Sequence, residues 1–415
     1  MDLAHLVLAH TDPEHIARLA RKLSDYSDVY IHIDSRIDLT PFVAAVASLD
    51  RVRLITTRFP SEWGGWNAVE ATVALMREAL AEKCYDRLSF LQGLDYPLKG
   101  TQDITNYFCT HRNIEFIRAC NISKSSDPYF YDKCRYVWFP NNRDRVINLF
   151  SRTVSKIMRG ADLKTRSGVI VDNNEKFDVF WGCAQWALTG HCAQYILEFY
   201  DSHPTFNRWF YYAFPADELY IHTIVFNSPY ASQTTHGGPE PEAKPLERWR
   251  NLHYFESATN ESGTVFGEHD YDRLRVRPEL YVRKVTTEAS SKLLDRLDAD
   301  TKVTLTLPPN EVGTHTPGRH MQCPAENTTS MAVDFSAART KVAPYITYEV
   351  VDVRGVTTRV HAAAVTHGGQ EPRVSRSPLC GVTKALRVTR RRRGEDLNTV
   401  TCCRCRRRLQ KAGVL

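Results

Sequence analysis

Short apolar segments alternate with longer amphipathic segments over the first hundred residues, and this alternation constrains the fold more than any other feature. Residues 5–10 (HLVLAH), 28–34 (DVYIHID) and 52–56 (VRLIT) are typical of short strands. Residues 12–25 and 66–83 carry apolar side chains three and four positions apart, which is typical of helices. Strands that alternate with helices predict an α/β fold with a mostly parallel sheet.

The predicted sheet also indicates where a ligand would bind. In open parallel sheets, ligands bind in the crevice at the carboxyl ends of the strands. The polar and glycine residues that directly follow the predicted strands are therefore the first candidates. They are Asp34, the segment 63–65 (WGG) and Asp95.

Length and composition favour one large domain with additional segments. The chain has 415 residues, of which 42% are apolar and 11% aromatic, as expected for a protein with a substantial core. No window approaches the roughly 18 uninterrupted apolar residues that a membrane span needs. The first residues, MDLAHLVLAHTDPEH, lack a basic region, so we interpret them as a first strand and expect a cytoplasmic protein without a membrane span.

Composition changes along the chain and predicts three parts: a main domain over 1–297, a linker over 298–344 and a small module over 345–415. The linker is rich in Pro, Gly, Thr and Asn and has no apolar period. Residues 371–415 contain thirteen Lys/Arg against three Asp/Glu, a net charge of +10 within a total of +6. The basic character therefore belongs to the end of the chain.

Six segments carry the polar residues that suggest chemistry. They are IHIDSR (31–36), SEWGGWNAVEA (61–71), FLQGLDYPLKG (90–100), WGCAQWALT (181–189), FPADELYIHT (214–223) and LYVRKVT (280–286). In this order and spacing, and together with NLHYFE (251–256) and TVFGEHDYDRL (264–274), they resemble the Branch family of glycosyltransferases. That family contains the core-2/I-branching N-acetylglucosaminyltransferases and the peptide O-xylosyltransferases, and the resemblance covers roughly residues 4–297.

The resemblance implies a GT-A-like, Rossmann-like fold and an inverting transfer without a metal cofactor. The implied donor is a UDP-sugar of the GlcNAc or xylose type, and the acceptor is a hydroxyl group of a glycan or protein. The bacterial members look most similar, so the implied setting is a bacterial or phage-infected cell. A sugar-nucleotide-binding or glycan-binding protein that has lost catalysis is the alternative on the same fold.

The adjacent acids Asp217 and Glu218 stand at the start of an apolar run. An inverting transfer needs one base to take the proton of the acceptor hydroxyl, and a partly buried carboxylate suits this task. The resemblance assigns that role to Glu218 and places Asp217 on the acceptor side, where it orients the loop or caps the next helix. The alternative is that both acids only stabilise a helix N-terminus.

The paired cations Arg283 and Lys284 match the basic position that replaces a metal in the similar enzymes. A fixed cation stabilises a departing diphosphate, and an arginine adds bidentate contacts. The similar animal enzymes carry a second cation 23 residues before this lysine, whereas this chain has Glu261 there. Either Arg283 takes over that role or Arg248 or Arg250 does.

The resemblance assigns further residues to the two substrates. On the donor side, Asp34 matches an aspartate that contacts uridine, and Gly64 and Gly65 either admit the donor near the backbone or only form the turn. Acceptor contacts are predicted for Glu115, Arg135 and Trp186. An isolated tryptophan such as Trp186 is also a candidate for the core.

The last 70 residues contain a second set of candidate ligands. Cys402 and Cys405 have C-x-x-C spacing, and with Cys380 and His367 they would suit tetrahedral zinc in a zinc-ribbon-like module. The alternative is free thiols in an irregular basic tail. The run RRRR (390–393) leaves nucleic acid or another anionic polymer as a candidate partner, although such runs are usually only solvated.

Overall fold

A computed structural model gives the fold and divides the chain into two compact units, residues 1–314 and 315–415. The second unit is described only as backbone strands. The structure describes residues 1–138, 166–244, 246–257 and 263–300, a few positions between 153 and 161, and strand residues 345–351, 357–368, 371–374 and 387–393.

The helices and strands of the first unit follow the predicted alternation and add several short elements. The strands are β1 (Leu3–Ala9), β2 (Asp28–Ile33), β3 (Val52–Leu54), β4 (Arg87–Gln92), β5 (Asp95–Pro97), β6 (Cys120–Asn121), β7 (Val169–Asp172), β8 (Glu175–Asp178), β9 (Phe180–Trp181), β10 (Ala187–Thr189), β11 (His253–Phe255) and β12 (Tyr281–Arg283). The helices are α1 (Pro13–Ser24), α2 (Thr40–Val46), α3 (Trp66–Glu82), α4 (Thr101–Thr110), α5 (Pro128–Arg135), α6 (Gly190–Ser202), α7 (Pro204–Phe210), α8 (Tyr220–Phe226), α9 (Tyr271–Arg275) and α10 (Thr287–Ala299).

A five-stranded sheet in the order β10-β4-β1-β2-β3 forms the centre of this unit. Strands β4, β1, β2 and β3 are parallel, and only the edge strand β10 is antiparallel. Both faces are covered, because Leu6 packs in the core with α3 while Val7 packs in a second core with α1 and α2. Burial on both faces explains why the strands are nearly continuous apolar runs in the sequence. The predicted α/β class and its mostly parallel sheet are confirmed.

The start of α1 shows how the local sequence sets an element boundary. Asp12 is the N-cap residue and its carboxylate accepts a hydrogen bond from the His15 backbone N–H, while Pro13 occupies the first helical turn. Asp at the N-cap and Pro in the first turn are residue types that helix starts favour. The Asp12 side chain also accepts a hydrogen bond from the Thr287 hydroxyl at 2.7 Å, so the same cap connects α1 to the beginning of α10.

A second, three-stranded sheet positions the basic pair. Strand β12 lies between β11, to which it is parallel, and β5, to which it is antiparallel. Its register places Arg283 opposite Asp95. Strand β5 follows β4 after a short turn, so this register brings residues 283–284 to the carboxyl end of a central strand.

The second unit contains a four-stranded antiparallel sheet in the order β15 (Glu371–Val374), β14 (Thr357–Gly368), β13 (Tyr345–Val351) and β16 (Arg387–Arg393). His367 lies in β14, whereas Cys380, Cys402 and Cys405 lie outside the described residues. The zinc and nucleic-acid hypotheses for this unit therefore stay predictions. The predicted linker falls almost entirely outside the described residues as well.

None of the helices among the described residues is long and apolar enough to cross a lipid bilayer. The longest of them, α3, has 17 residues and includes charged positions.

Candidate active site

A cavity of about 500 Å³ opens at the carboxyl ends of β1 and β4. Its lining combines cations, acids and one exposed aromatic ring, and comes from strand ends, the loop before α3, the segment that carries the acid pair, and the end of β12. The lining residues are Leu8, His10, Thr11, Arg36, Ser61, Glu62, Trp63, Ala68, Gln92, Gly93, Leu94, Asp217, Arg283 and Lys284. This is the crevice in which an open parallel sheet is expected to bind a ligand.

A cavity of similar volume, about 520 Å³, lies between α1 and α10 and is a weaker candidate. Two of the three cations in its lining are already paired, since Arg18 and Lys22 lie 2.7 Å and 3.1 Å from the Asp298 carboxylate. Tyr96 donates its hydroxyl to the same carboxylate at 2.8 Å. These interactions hold α10 against α1, so we assign this cavity a structural role.

The acid pair lies on a 3-10 turn, Ala216–Glu218, directly before α8. Every residue of α8 is buried, and this apolar anchor explains the long apolar run after the two acids. The turn is held to the loop before α3, because the Ala216 N–H donates to the Gly64 carbonyl at 2.7 Å. Two backbone segments that are 152 positions apart in the sequence therefore meet beside the acids.

The two carboxylates face different surroundings. Asp217 lines the cavity, and its buried Oδ1 has no hydrogen-bond partner among the described residues. Glu218 is not part of the cavity lining. Its Oε2 instead accepts a hydrogen bond from Trp181 Nε1 at 2.8 Å, where β9 ends. The pair thus divides this region into an Asp217 side and a Glu218 side.

Burial makes both acids weaker than usual. It raises the pKa of Asp217 to about 6, although the nearby Arg283 guanidinium opposes the shift. Burial and, second, the neighbouring Asp217 carboxylate raise the pKa of Glu218 to about 8, while the Trp181 hydrogen bond and Lys133 oppose that rise. Like charges so close cannot easily ionise together, so the two groups titrate as a pair.

A buried carboxylate fixes Arg283 at the cavity wall. Arg283 Nη1 donates to Asp95 Oδ1 at 2.8 Å, and the Gln92 N–H donates to the other oxygen at 2.7 Å. Burial alone would raise the pKa of Asp95, but Arg283 and His253 outweigh it and hold that pKa below its usual value. Asp95 is fully buried, so it acts as a counter-ion beneath the arginine and does not face a ligand.

Lys284 completes the cationic wall of the cavity. Burial lowers the pKa of its ammonium group and the adjacent Arg283 lowers it further, whereas Asp95 opposes the shift. Two adjacent cations, Arg283 and Lys284, therefore line this wall, and the buried Asp95 carboxylate lies beneath the arginine. Such a wall suits an anionic ligand.

The structure separates the three arginines proposed for the second cation. Arg283 lines the cavity, whereas Arg250 lines a different one and donates to the Phe255 carbonyl at 2.7 Å. Arg248 is exposed on a 3-10 turn outside the cavity lining, and Glu261 lies outside the described residues. The cation that the sequence interpretation missed is Arg36, which lines the cavity beside Glu62.

Asp34 is placed beneath that arginine and does not line the cavity. Its carboxylate accepts hydrogen bonds from Arg36 Nε and from the Arg36 backbone N–H, and only 2% of the residue is exposed. Burial favours the neutral acid, but the Arg36 hydrogen bonds prevail and lower the pKa of Asp34. Any contact of Asp34 with a donor therefore stays a prediction, and its direct partner here is Arg36.

The two glycines before α3 serve different purposes. Gly64 has φ +68°, and a Cβ atom there would lie 2.5 Å from the Phe214 ring. Its missing side chain thus makes room for the protein's own loop before the acid pair. Gly65 is the N-cap residue of α3 with ordinary extended backbone. This geometry supports the turn-forming alternative for both residues.

Three residues predicted to contact the acceptor are buried or make hydrogen bonds within the protein. Trp186 is 1% exposed and stacks on Phe90 in the core, which agrees with the core alternative, and an acceptor contact for it stays a prediction. Glu115 is fully buried, and both its oxygens accept hydrogen bonds from Thr189. Arg135 donates to the carbonyls of Ser123 and Ser167 and holds the start of the β7–β8 hairpin.

Lys133 on the Glu218 side is a functional candidate that the sequence interpretation missed, and Trp63 on the Asp217 side is an exposed aromatic one. Lys133 lies above the Tyr129 ring at 3.9 Å and near the Trp181 ring at 5.9 Å. Trp63, 69% exposed at the cavity, packs edge-on against Phe214. Trp63 belongs to the segment 63–65 that the sequence already offered as a candidate, whereas nothing in the sequence pointed to Lys133.

The residues that the structure describes contain no cluster of three or more His, Cys, Asp or Glu side chains that could hold a metal ion. The charged side chains that line the cavity are instead Arg and Lys cations and single carboxylates.

Comparison with known proteins gives one family match. The family model described as Branch: Core-2/I-Branching enzyme matches residues 3–238, which is more than half of the chain. The match includes β1 to β10 and the acid pair and ends before β12. No curated protein sequence matches the chain.

Proposed function

The chain belongs to the Core-2/I-branching enzyme family, a family of glycosyltransferases, and from this premise we propose that it transfers a sugar from a UDP-sugar donor to an acceptor hydroxyl with inversion. The donor class we propose is GlcNAc or xylose, and the acceptor a glycan or protein. The observation that carries the proposal is the cavity of about 500 Å³ that Asp217, Arg283 and Lys284 line together.

The donor diphosphate is proposed to bind against Arg283 and Lys284. As the bond between the anomeric carbon and the phosphate oxygen breaks, negative charge grows on the leaving UDP. Cations that are fixed before the reaction stabilise that charge without reorganisation. Asp95 supports this role because it holds the Arg283 guanidinium from beneath through a 2.8 Å hydrogen bond. In this mechanism the two side chains supply the charge that a metal would otherwise supply.

Glu218 is proposed as the general base. It would take the proton of the acceptor hydroxyl while that oxygen attacks the anomeric carbon from the face opposite the leaving group. A pKa raised to about 8 by burial and by Asp217 suits a base that works near neutral pH. The Trp181 N–H, 2.8 Å from Oε2, fixes the orientation of the carboxylate. Its ionised form would also gain from the ammonium group of Lys133.

Trp63 and Arg36 are proposed to contact the rest of the donor. The exposed Trp63 ring at the cavity offers a flat apolar surface for a sugar or a base. Arg36, anchored by Asp34 and Glu62, adds a third cation for the diphosphate. This assignment gives Asp34 an indirect role in donor binding, through the arginine that it holds.

A panel of UDP-sugars tests the proposal. Purified protein is incubated with each sugar nucleotide, and both UDP release and the shift in melting temperature are measured with and without EDTA. We expect UDP itself and at least one UDP-sugar to raise the melting temperature, and slow UDP release that EDTA leaves unchanged. Absence of any nucleotide effect would refute the UDP-sugar assignment, and loss of release in EDTA would refute the metal-free mechanism.

A further inference from the structure

Lys133 lies on α5, against the wall of the Glu218 side. Its Nζ is 3.9 Å from the centre of the Tyr129 ring and 5.9 Å from that of Trp181. Trp181 is the residue whose indole N–H binds the Glu218 carboxylate at 2.8 Å. The lysine ammonium therefore lies one aromatic ring away from the proposed base, in a position that is partly buried.

Lys133 has no close anionic partner in the described part of the chain. No carboxylate oxygen there lies within ion-pair distance of its Nζ, and no hydrogen bond holds that atom. The contrast with Lys244 is direct: Lys244 Nζ lies 4.7 Å from the same Tyr129 ring, and Asp127 neutralises it at 2.7 Å. Of two ammonium groups over one ring, one is paired and the other is not.

Ring contacts alone compensate poorly for such a charge. A cation–π contact contributes about 0.5–2 kcal/mol, whereas a partly buried charge without an anion loses much of its hydration. Burial accordingly lowers the pKa of Lys133, although Glu218 and Asp132 oppose the shift. Glu218 is a poor permanent counter-ion, because burial and Asp217 keep its own pKa at about 8.

The region around Lys133 reaches the protein surface at Tyr129, which is 38% exposed. The ligand that belongs on this side in the proposed mechanism is the acceptor, because its hydroxyl must reach Glu218. An anion carried by the acceptor would meet the unpaired ammonium as the hydroxyl meets the base.

We propose that Lys133 binds a negatively charged group of the acceptor, and that the acceptor is a saccharide with a carboxylate or phosphate near the hydroxyl to be glycosylated. The inference rests on the proposed function and narrows its acceptor class. Lys133 thereby sets acceptor specificity, whereas Arg283 and Lys284 act on the donor. Only the binding of the acceptor anion is assigned to it, and no covalent step.

Acceptor binding in the presence of saturating UDP tests this inference. Titration calorimetry compares methyl β-D-glucuronide and methyl β-D-glucoside 6-phosphate with the neutral methyl β-D-glucoside. We expect the wild type to bind one of the anionic glycosides about tenfold or more tightly than the neutral one. Lys133→Gln should abolish that preference, and Lys133→Arg, which keeps the charge, should retain most of it.

The matched control is Lys124→Gln, since Lys124 is 75% exposed and pairs with Asp178. This variant should keep the preference, and melting temperatures show whether Lys133→Gln is folded. UDP binding is measured first: its absence would refute the proposed function itself. If UDP binds but neither anionic glycoside binds more tightly than the glucoside, the inference about Lys133 is overturned.

If Lys133 acts only on Glu218 and not on the acceptor, the Lys133→Gln variant should behave differently. In that case Lys133→Gln would lower kcat equally for neutral and anionic acceptors and leave their relative affinities unchanged. That outcome would also overturn the proposal, because the lysine would then act on the base alone.

Discussion

Asp217 and Glu218 are one peptide bond apart, yet their two sides differ in chemistry. The Asp217 side is a cavity with three cations in its lining, two of them fixed by buried or partly buried carboxylates. The Glu218 side is an aromatic wall, Trp181 and Tyr129, with Lys133 above it. A dense set of cations suits a diphosphate, whereas an oriented carboxylate beside rings suits a sugar hydroxyl. In the mechanism proposed above, the donor and the acceptor would therefore approach the pair from different directions.

The largest effect is expected from replacing Glu218 by its amide, which tests whether the Glu218 side holds the base. Glu218→Gln should lower kcat by about 10³-fold, because general-base catalysis typically contributes 10²–10⁴-fold. Its affinity for UDP should remain unchanged, as Glu218 does not line the cavity. Steady-state kinetics measure kcat, and titration calorimetry measures the affinity for UDP. Equal activity of the variant and the wild type would remove Glu218 from the mechanism.

The cationic wall should matter for the leaving group more than for stability. Lys284→Gln should lower kcat by about 10²-fold and weaken UDP binding, because it removes charge that stabilises the departing diphosphate. Lys292→Gln is the matched control, since Lys292 is 80% exposed and its ion pair with Glu268 is 3.6 Å long. Steady-state kinetics of both variants show whether kcat falls only when Lys284 is replaced. Equal effects at the two positions would mean that Lys284 acts only through general charge.

The contact between the turn before α3 and the segment that carries the acid pair depends on Gly64. Gly64→Ala should lower the free energy of unfolding by about 2 kcal/mol or more, because φ is +68° and the new Cβ would lie 2.5 Å from the Phe214 ring. Gly65→Ala, with ordinary extended backbone and its nearest contact at 3.3 Å, should cost less than about 1 kcal/mol. Urea denaturation measures both values. Similar losses would show that the Phe214 loop adapts without cost.

The smallest expected effect is on pH dependence. Glu218 must be ionised to act as a base, so kcat/KM should rise with pH up to its raised pKa of about 8. This corresponds to about a fivefold increase between pH 7 and pH 8. Asp217→Asn removes the neighbouring charge that raises this pKa, and the acid limb of the profile should move to lower pH. An unchanged limb would show that the two acids do not titrate as a pair.

Much of the fold could be predicted because its information is local. The alternation of apolar strands with helices of 3.6-residue period predicted β1 to β3, α1 and α3, and the cap formed by Asp12 and Pro13 at the start of α1 is equally local. The short helices and the β7–β8 hairpin were missed. The hairpin is set by Asn173 and Asn174, whose positive φ angles of 50° and 65° fit a tight turn between short strands. A brief turn signal within a mixed basic segment was too weak to be recognised.

The sequence by itself determined which residue types were available to the site: an acid pair before a buried helix, two adjacent cations, and glycines before α3. Tertiary structure alone decided where each side chain points. The register of β12 on β5 brings Arg283 to Asp95 across 188 positions, and β9 brings Trp181 to Glu218. It also placed Trp186 in the core and brought the partly buried Lys133 near the Trp181 ring that contacts Glu218. Local periodicity specifies an element and its buried face, whereas the partners of a polar side chain depend on long-range packing that no short segment encodes.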